Sequence, residues 1–211
     1  MEGVVARRYA EQRRSGHQLE QHRRQAERLT GTLSPGASIL EVAPGPGYLA
    51  IEMARPGRFR VSGLDISRTF VEIATANAER AGVEVEFRRG DVADMPFESK
   101  SFDLVVCQAA FKNFSRPARA LEEIHRVLRP HRQAVIHDMR KGASSADIAL
   151  EVNAMALGRL SALTTKLILA WLRRRAWSPA RFERLTAEGP FQTCEITTKG
   201  IELEVRLGKH A

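Results

Sequence analysis

Cysteine is nearly absent: Cys107 and Cys194 are the only two in 211 residues, far apart and in no CxxC pair. This excludes a disulfide-stapled secreted scaffold and a thiolate metal cluster. Cys107 falls in an apolar run, so a free buried thiol in a reducing cytoplasm is the expectation. Aromatics are scarce at 6%. Tyr9 is the only one in residues 1–30, so that basic stretch lacks the stacking platform on which single-stranded nucleic acids lie. There is no run of eighteen apolar residues, and no transmembrane helix is expected. Residues 1–30 are rich in Arg, Glu and Gln and lack an apolar core, so no secretory signal is expected either. His17, His22, His125 and His131 fall at no metal-ligand spacing, and no metal site is expected.

What is present suits one globular domain with a sizeable core: 43% hydrophobic and 27% charged residues. The net charge of +8 and pI near 10.2 admit an anionic partner without demonstrating one. Residues 1–30 read as an Arg-rich helix with a break at Ser15-Gly16. Glu11, Glu20 and Glu27 interleave with the arginine pairs, which is the pattern of a solvated helix face.

The organising stretch is Ile39-Leu-Glu41-Val-Ala43-Pro-Gly45-Pro-Gly47-Tyr-Leu-Ala-Ile-Glu-Met-Ala54: a buried strand, a Gly/Pro loop and an apolar helix. In that order, glycines let a backbone approach a ligand closely, at the carboxyl ends of parallel strands. Phe59 to Ser67 reads as the second strand, with Asp65 at its end. A carboxylate there can accept two hydrogen bonds from a ribose diol, and Ser67 offers the cap of the helix Thr69–Ala81. Val83–Phe87 alternates as a third strand, followed by Gly90-Asp91-Val92 and Met95-Pro96-Phe97. Asp91 could accept from an exocyclic amino group or cap its loop. Ser101–Cys107 is a near-continuous apolar run, the pattern of a central strand. Pro117 opens a helix that Arg129-Pro130 ends, and Gln133–Asp138 is the fifth strand. Residues 144–175 break the alternation with apolar residues at helical spacing, interrupted by Arg159 and Lys166. Thr193–Thr198 and Ile201–Leu207 read as a hairpin about Lys199-Gly200. Alternating strands and helices imply a doubly wound, mostly parallel α/β sheet.

These residues resemble class I S-adenosylmethionine-dependent methyltransferases. Glu41-Val-Ala-Pro-Gly45-Pro-Gly47 resembles the acidic-Gly-x-Gly-x-Gly loop, Asp65 the ribose-binding acid, and Gly90-Asp91-Val92 with Met95-Pro96-Phe97 the adenine-side motif. Phe102-Asp103-Leu-Val-Val106 with Leu128-Arg129-Pro130 resembles the fourth strand and the end of its helix. The nearest subgroup is the ubiquinone/menaquinone C-methyltransferase-like enzymes, where Phe111-Lys112-Asn113-Phe114 stands near an Arg-Asn pair. Two departures stand out. Ala43 replaces the first loop glycine, at little cost if its φ is negative, and His131-Arg132 stands where Gly-Gly is usual.

The resemblance implies a Rossmann-like, doubly wound, seven-stranded sheet, mostly parallel with a C-terminal antiparallel hairpin. The expected organisation is an N-terminal helical lid over 1–30 and a methyltransferase domain over 31–211; the apolar span at about 144–175 could be core, a substrate lid or a dimer face, and core with a helical lid insertion is the first reading. The resemblance also implies S-adenosylmethionine as cofactor, S-adenosylhomocysteine as product, and no metal. Glu41 would meet the methionine amino end, Ala43, Gly45 and Gly47 the close backbone approach, Asp65 the ribose, Asp91 the adenine, Ile66 and Val92 the adenine faces, and Gln108 the methyl end. His137 is a candidate base and Lys112 a candidate substrate-orienting group, with structural roles as the alternatives. The acceptor expected is a small apolar or aromatic molecule. An RNA or protein acceptor, a non-catalytic S-adenosylmethionine-binding protein and a nicotinamide enzyme are the competing readings. A homodimer is open.

Overall fold

The computed structural model describes residues 1–14, 16–155 and 158–211. In chain order it holds α1 (Gly3–Gln12), α2 (Gly16–Thr30), β1 (Ser38–Val42), α3 (Tyr48–Ala54), β2 (Arg60–Asp65), α4 (Arg68–Ala81), β3 (Glu86–Arg89) and β4 (Phe102–Gln108). A 3-10 turn at Phe111–Asn113 leads to α5 (Pro117–Val127), β5 (Leu128–Met139), α6 (Ser145–Ala154), α7 (Arg159–Leu172), α8 (Pro179–Ala187), β6 (Glu195–Lys199) and β7 (Glu202–Gly208). The N-terminal region is thus two helices. Of the expected break, Ser15 lies outside the described residues.

The seven strands form one sheet in the order β3-β2-β1-β4-β5-β7-β6. Neighbours from β3 to β5 run parallel, and β7 is antiparallel to both β5 and β6. The seven-stranded, mostly parallel sheet with its terminal hairpin is therefore as expected. The order reverses between β1 and β4, and this is where an open α/β sheet leaves a crevice at its carboxyl edge.

Both faces of the sheet are covered because the central strands are apolar on both sides. Leu40, Val42, Val105 and Cys107 face α5 and α8, packing with Leu121, Ile124 and Phe182. Ile39, Leu104, Val106 and Val135 face α2 and α3, packing with Ala26, Leu29, Leu49 and Met53. The mixed-charge α2 is held by that short apolar stripe, and its outer face keeps the ion pairs Arg23–Glu27 and Arg24–Glu20. On the first face, the rings of Phe111, Trp177 and Phe182 meet at centroid distances of 4.7–5.2 Å. They fasten the exit of β4 to the C-terminal segment.

Two strand boundaries differ from expectation by three residues or more. β3 begins at Glu86 rather than Val83. Gly82 caps α4 in the left-handed conformation and Val83 N–H donates to the Ala78 carbonyl, so the helix cap consumes the start of the alternating run. β5 begins at Leu128, not Gln133. His131 N–H donates to Lys209 and Lys209 N–H to Arg132, which extends the ladder. His131 sits at φ +59°, the left-handed region in which the family's glycine would be at ease.

Candidate functional site

The loop from Ala43 to Gly47 turns at the carboxyl end of β1, at the switch point of the sheet. Gly45 has φ +56° and open space where a Cβ would point. Gly47, at φ +79°, has none, since a Cβ there would come within 2.7 Å of the Phe87 ring and 2.9 Å of Ala74. The two glycines do different work. Gly45 leaves room on the crevice side, and Gly47 lets α3 start tight against α4 and β3. Asn77 Nδ2 donates to the Pro46 carbonyl at 2.8 Å and steadies the loop from α4. Nothing in the sequence flagged it.

Ala43 corrects the expectation of a harmless replacement. Its φ is +53°, not negative, and an alanine pays roughly 1 kcal/mol or more to stay left-handed. Ala43→Gly is expected to raise stability by about 0.5–1 kcal/mol, the relief being partly offset by a more flexible unfolded chain. Chemical denaturation of the two proteins checks it, and an unchanged midpoint would contradict it.

Asp65 is 7% exposed at the end of β2. One carboxylate oxygen accepts from Gly45 N–H at 3.0 Å and the other from Ser67 N–H at 2.9 Å. Burial pushes its pKa up, and those two amides pull it back. Ser67 in turn accepts from Phe70 N–H and caps α4. So Asp65 is both the acid at the strand end and the link between the glycine loop and α4. The chain start also lies here. Glu2 accepts from the Arg68 and Thr69 amides at 3.0 Å, and Met1 O from Ser67 Oγ at 2.6 Å.

Beside this strand end is a cavity of roughly 100 Å³ lined by Ala43, Ile66, Asp91, Val92, Asn113 and Arg116, among others. Four of the expected cofactor-side residues therefore share one cavity. Ile66 is exposed into it, at 62%. Asp91 accepts from Ala93 N–H at 2.9 Å and pairs with Arg116 at 2.8 Å. The loop beyond it is held by a pair the sequence reading passed over. Buried Glu123 accepts from Met95 N–H at 2.8 Å, and Arg126 donates to Glu123 and to the Met95 and Phe97 carbonyls. A wider groove of about 700 Å³ opens at the opposite edge, by Ser38, Arg60 and Phe102, the first residues of β1, β2 and β4. Ligands of open α/β sheets collect at the other edge.

On the α2 side of the sheet, Glu41 is 2% exposed and one of its carboxylate oxygens has no hydrogen-bond partner. Burial raises its pKa to about 8, and the Ala50 amide in the first turn of α3 opposes that. Gln108 ends β4 on the same side and donates to Gln25 of α2 at 2.8 Å. Gln25 Nε2 and His22 Nδ1 are also buried without partners, and burial lowers the His22 pKa to about 4. Three orphaned polar atoms thus lie beneath or on α2, an arrangement that costs free energy until something pairs with them.

The two candidate catalytic groups are both engaged. Lys112 Nζ lies 2.6 Å from buried Asp138 and 2.5 Å from the Ala109 carbonyl, and it is nearly inaccessible. His137 Nε2 lies 3.6 Å from Glu202 across the β5–β7 ladder. Among the described residues, no group of His, Cys, Asp and Glu side chains could hold a metal, and no helix is long and apolar enough to cross a membrane.

Residues 40–136 match the family model of the methyltransferase domain. Over those residues, just under half of the chain, the sequence is similar to a methyltransferase domain. Several curated relatives are named as quinone methyltransferases, and another is an uncharacterized methyltransferase of Bacillus subtilis. A 2-phytyl-1,4-naphtoquinone methyltransferase of Nostoc sp. is 32% identical over 130 residues, 58% of this chain and 56% of that protein. A demethylmenaquinone methyltransferase of Thermus thermophilus is 37% identical over 100 residues, 46% and 45% of the two chains. The chain thus spans about half the length of these relatives. A solved SAM-dependent methyltransferase from Aquifex aeolicus superposes with a TM-score of 0.71 at 16% identity, covering 95% of this chain and 96% of that one. That likeness carries the fold. The sequence resemblance to quinone-type class I methyltransferases agrees with the names of the two curated relatives, and the expected fold agrees with the Aquifex aeolicus structure.

Proposed function

We propose that this chain is an S-adenosylmethionine-dependent methyltransferase acting on a small apolar or aromatic acceptor, a quinone-type ring being the class its relatives' names suggest. One observation carries the reading. The Asp65 carboxylate, the open side of Gly45 and a cavity lined by Ala43, Ile66, Asp91 and Val92 share one end of the crevice. The orphaned carboxyl oxygen of Glu41 waits on the α2 side of the neighbouring strand. These groups fit an adenosyl-amino-acid ligand: acids for a diol and an amine, an apolar slot for a flat ring, and room for a backbone approach.

The bound cofactor supplies an electrophilic methyl group on a sulfonium. The protein's part is to hold the acceptor in line with it and to exclude water. Asp65 would take the ribose hydroxyls, Glu41 the amine, Ile66 and Val92 the ring faces, Asp91 its amino edge, and Gln108 the neighbourhood of the methyl group. Lys112, held by Asp138, would position the loop after β4 rather than touch the acceptor. His137 would accept a proton where the acceptor has one to lose, with Glu202 steadying the charged imidazole. Residues 1–30 and about 144–175 would act as lids over a domain spanning 31–211. A cytoplasmic setting suits the free thiols of Cys107 and Cys194.

Calorimetric titration with S-adenosylmethionine, S-adenosylhomocysteine and NAD tests the cofactor. Both adenosyl ligands are expected to bind and NAD is not. Binding of NAD alone, or of none, would overturn the reading. Binding without methyl transfer to any ring acceptor would leave a cofactor-binding protein in place of an enzyme.

A further inference from the structure

Helix α7 carries apolar residues on two sides, with Ser161, Thr165 and Lys166 between them. Its inner side, with Ala162, Leu169, Ala170 and Leu172, packs on a small cluster built from Met139, Ala143, Ile148, Val152 and Ala176. Its outer side carries Leu160, Leu163, Leu167, Ile168 and Trp171, each between 55% and 82% exposed. Those positions fall on one stripe of the helix, spaced roughly i, i+3, i+7, i+8 and i+11. An α-helix of 14 residues is about 21 Å long, so the stripe, interrupted by exposed Thr164, is an extended apolar surface facing water, well beyond the scattered exposed leucines of an ordinary surface.

The charges along it in the sequence are of one sign, the last acids before it being Asp147 and Glu151 on α6. Residues 152–182 contain six Lys and Arg and no Asp or Glu. Arg174 and Arg175 are exposed and continue the stripe one turn past Trp171. The Arg175 guanidinium lies 5.8 Å from the Trp171 ring centroid, a pairing of aromatic and cation that suits the headgroup level of a bilayer. A second copy of α7 would offer those arginines no acid from this segment, whichever way it ran.

We propose that the outer face of α7, with Arg174 and Arg175, docks on the surface of an anionic lipid bilayer. The helix lies in the interface plane, leucines and Trp171 among the acyl chains and the arginines at the phosphates. No span is involved. The docking itself does not depend on the chemistry of the crevice. Delivery of a lipid-soluble acceptor from the bilayer does, and so rests on the methyltransferase reading.

The test is flotation of the full chain with vesicles of phosphatidylcholine alone, or containing one-third phosphatidylglycerol, at low and high salt. Binding is expected to the anionic vesicles and to weaken with salt. Leu163→Glu with Leu167→Glu is expected to reduce it at least tenfold, and Arg174→Gln with Arg175→Gln by roughly tenfold. Calorimetric binding of S-adenosylhomocysteine by the same variants reports separately on the crevice, and a circular dichroism melt shows that they fold. No flotation, binding indifferent to lipid charge, or unaltered binding by the leucine variant overturns the proposal. So does a wild-type dimer in sedimentation that the leucine variant dissolves. Failure of adenosyl binding with flotation intact would overturn the cofactor reading alone.

Discussion

Asp65→Ala is expected to lower affinity for both adenosyl ligands at least a hundredfold. Two losses combine. The ribose would lose its charged acceptor, and charge-assisted hydrogen bonds are about twice as strong as neutral ones. The Gly45 and Ser67 amides would lose theirs too, at about 1–3 kcal/mol for each buried donor left unmatched. The variant should therefore also melt several degrees lower. Asp65→Asn separates the two effects. Its one carbonyl oxygen can keep one of the amides, while its NH₂ faces the other. At most half of the lost stability should return, and the affinity should stay at least tenfold down. Titration calorimetry and thermal melts on the three proteins decide it. If Asp65→Ala bound S-adenosylhomocysteine as tightly as the parent, Asp65 would be a structural acid that only joins the loop to α4.

Asp65 was legible in the sequence, while the residues that brace the loops around it were not. A carboxylate at the end of a strand that follows a glycine loop is a local pattern, and hydrophobic periodicity fixes where the strand ends. The same holds for the order of strands and helices and for the terminal hairpin. What pattern cannot supply is which long-range hydrogen bonds hold a loop in place. Asn77 on the Pro46 carbonyl spans 31 positions, and Arg126 on the Met95 carbonyl another 31. Each looks like an ordinary polar residue on a helix face. Lys112 shows the opposite failure. It stands where a functional side chain is expected, yet Asp138 from the adjacent strand claims its ammonium. Only the register of β4 on β5 brings that acid near.

The polar atoms under α2 were legible only in part. Glu41 and Gln108 could be read from strand ends, but His22 and Gln25 lie in a stretch whose charge pattern reads as solvated. Two apolar residues, Ala26 and Leu29, bury that face against the sheet. The three orphaned atoms on and beneath α2 are what supports placing that helix beside the proposed site rather than reading it as a solubilising arm.

Glu41 gives the second large effect, a proton released on binding. Its pKa in the folded chain is about 8 against 4.5 for an ordinary glutamate, because burial disfavours the charge. Near pH 7 the free protein therefore holds this carboxyl mostly protonated. A cationic amine beside it would favour the carboxylate and expel close to one proton per ligand bound. Calorimetry in buffers of different ionisation enthalpy counts that proton. The linkage also fixes the sign for stability. A pKa raised by folding contributes stability that is complete below pH 4.5 and is lost as pH rises through about 8, amounting to on the order of 3 kcal/mol between pH 4.5 and 7. Glu41→Gln keeps the shape and removes the titration. It should melt higher than the parent near pH 8, bind S-adenosylmethionine at least tenfold more weakly, and release no proton. A parent protein that binds without releasing a proton would mean that Glu41 stays neutral and buried in the complex. Its orphaned oxygen would then belong to the packing of α2 on β1 and not to the ligand.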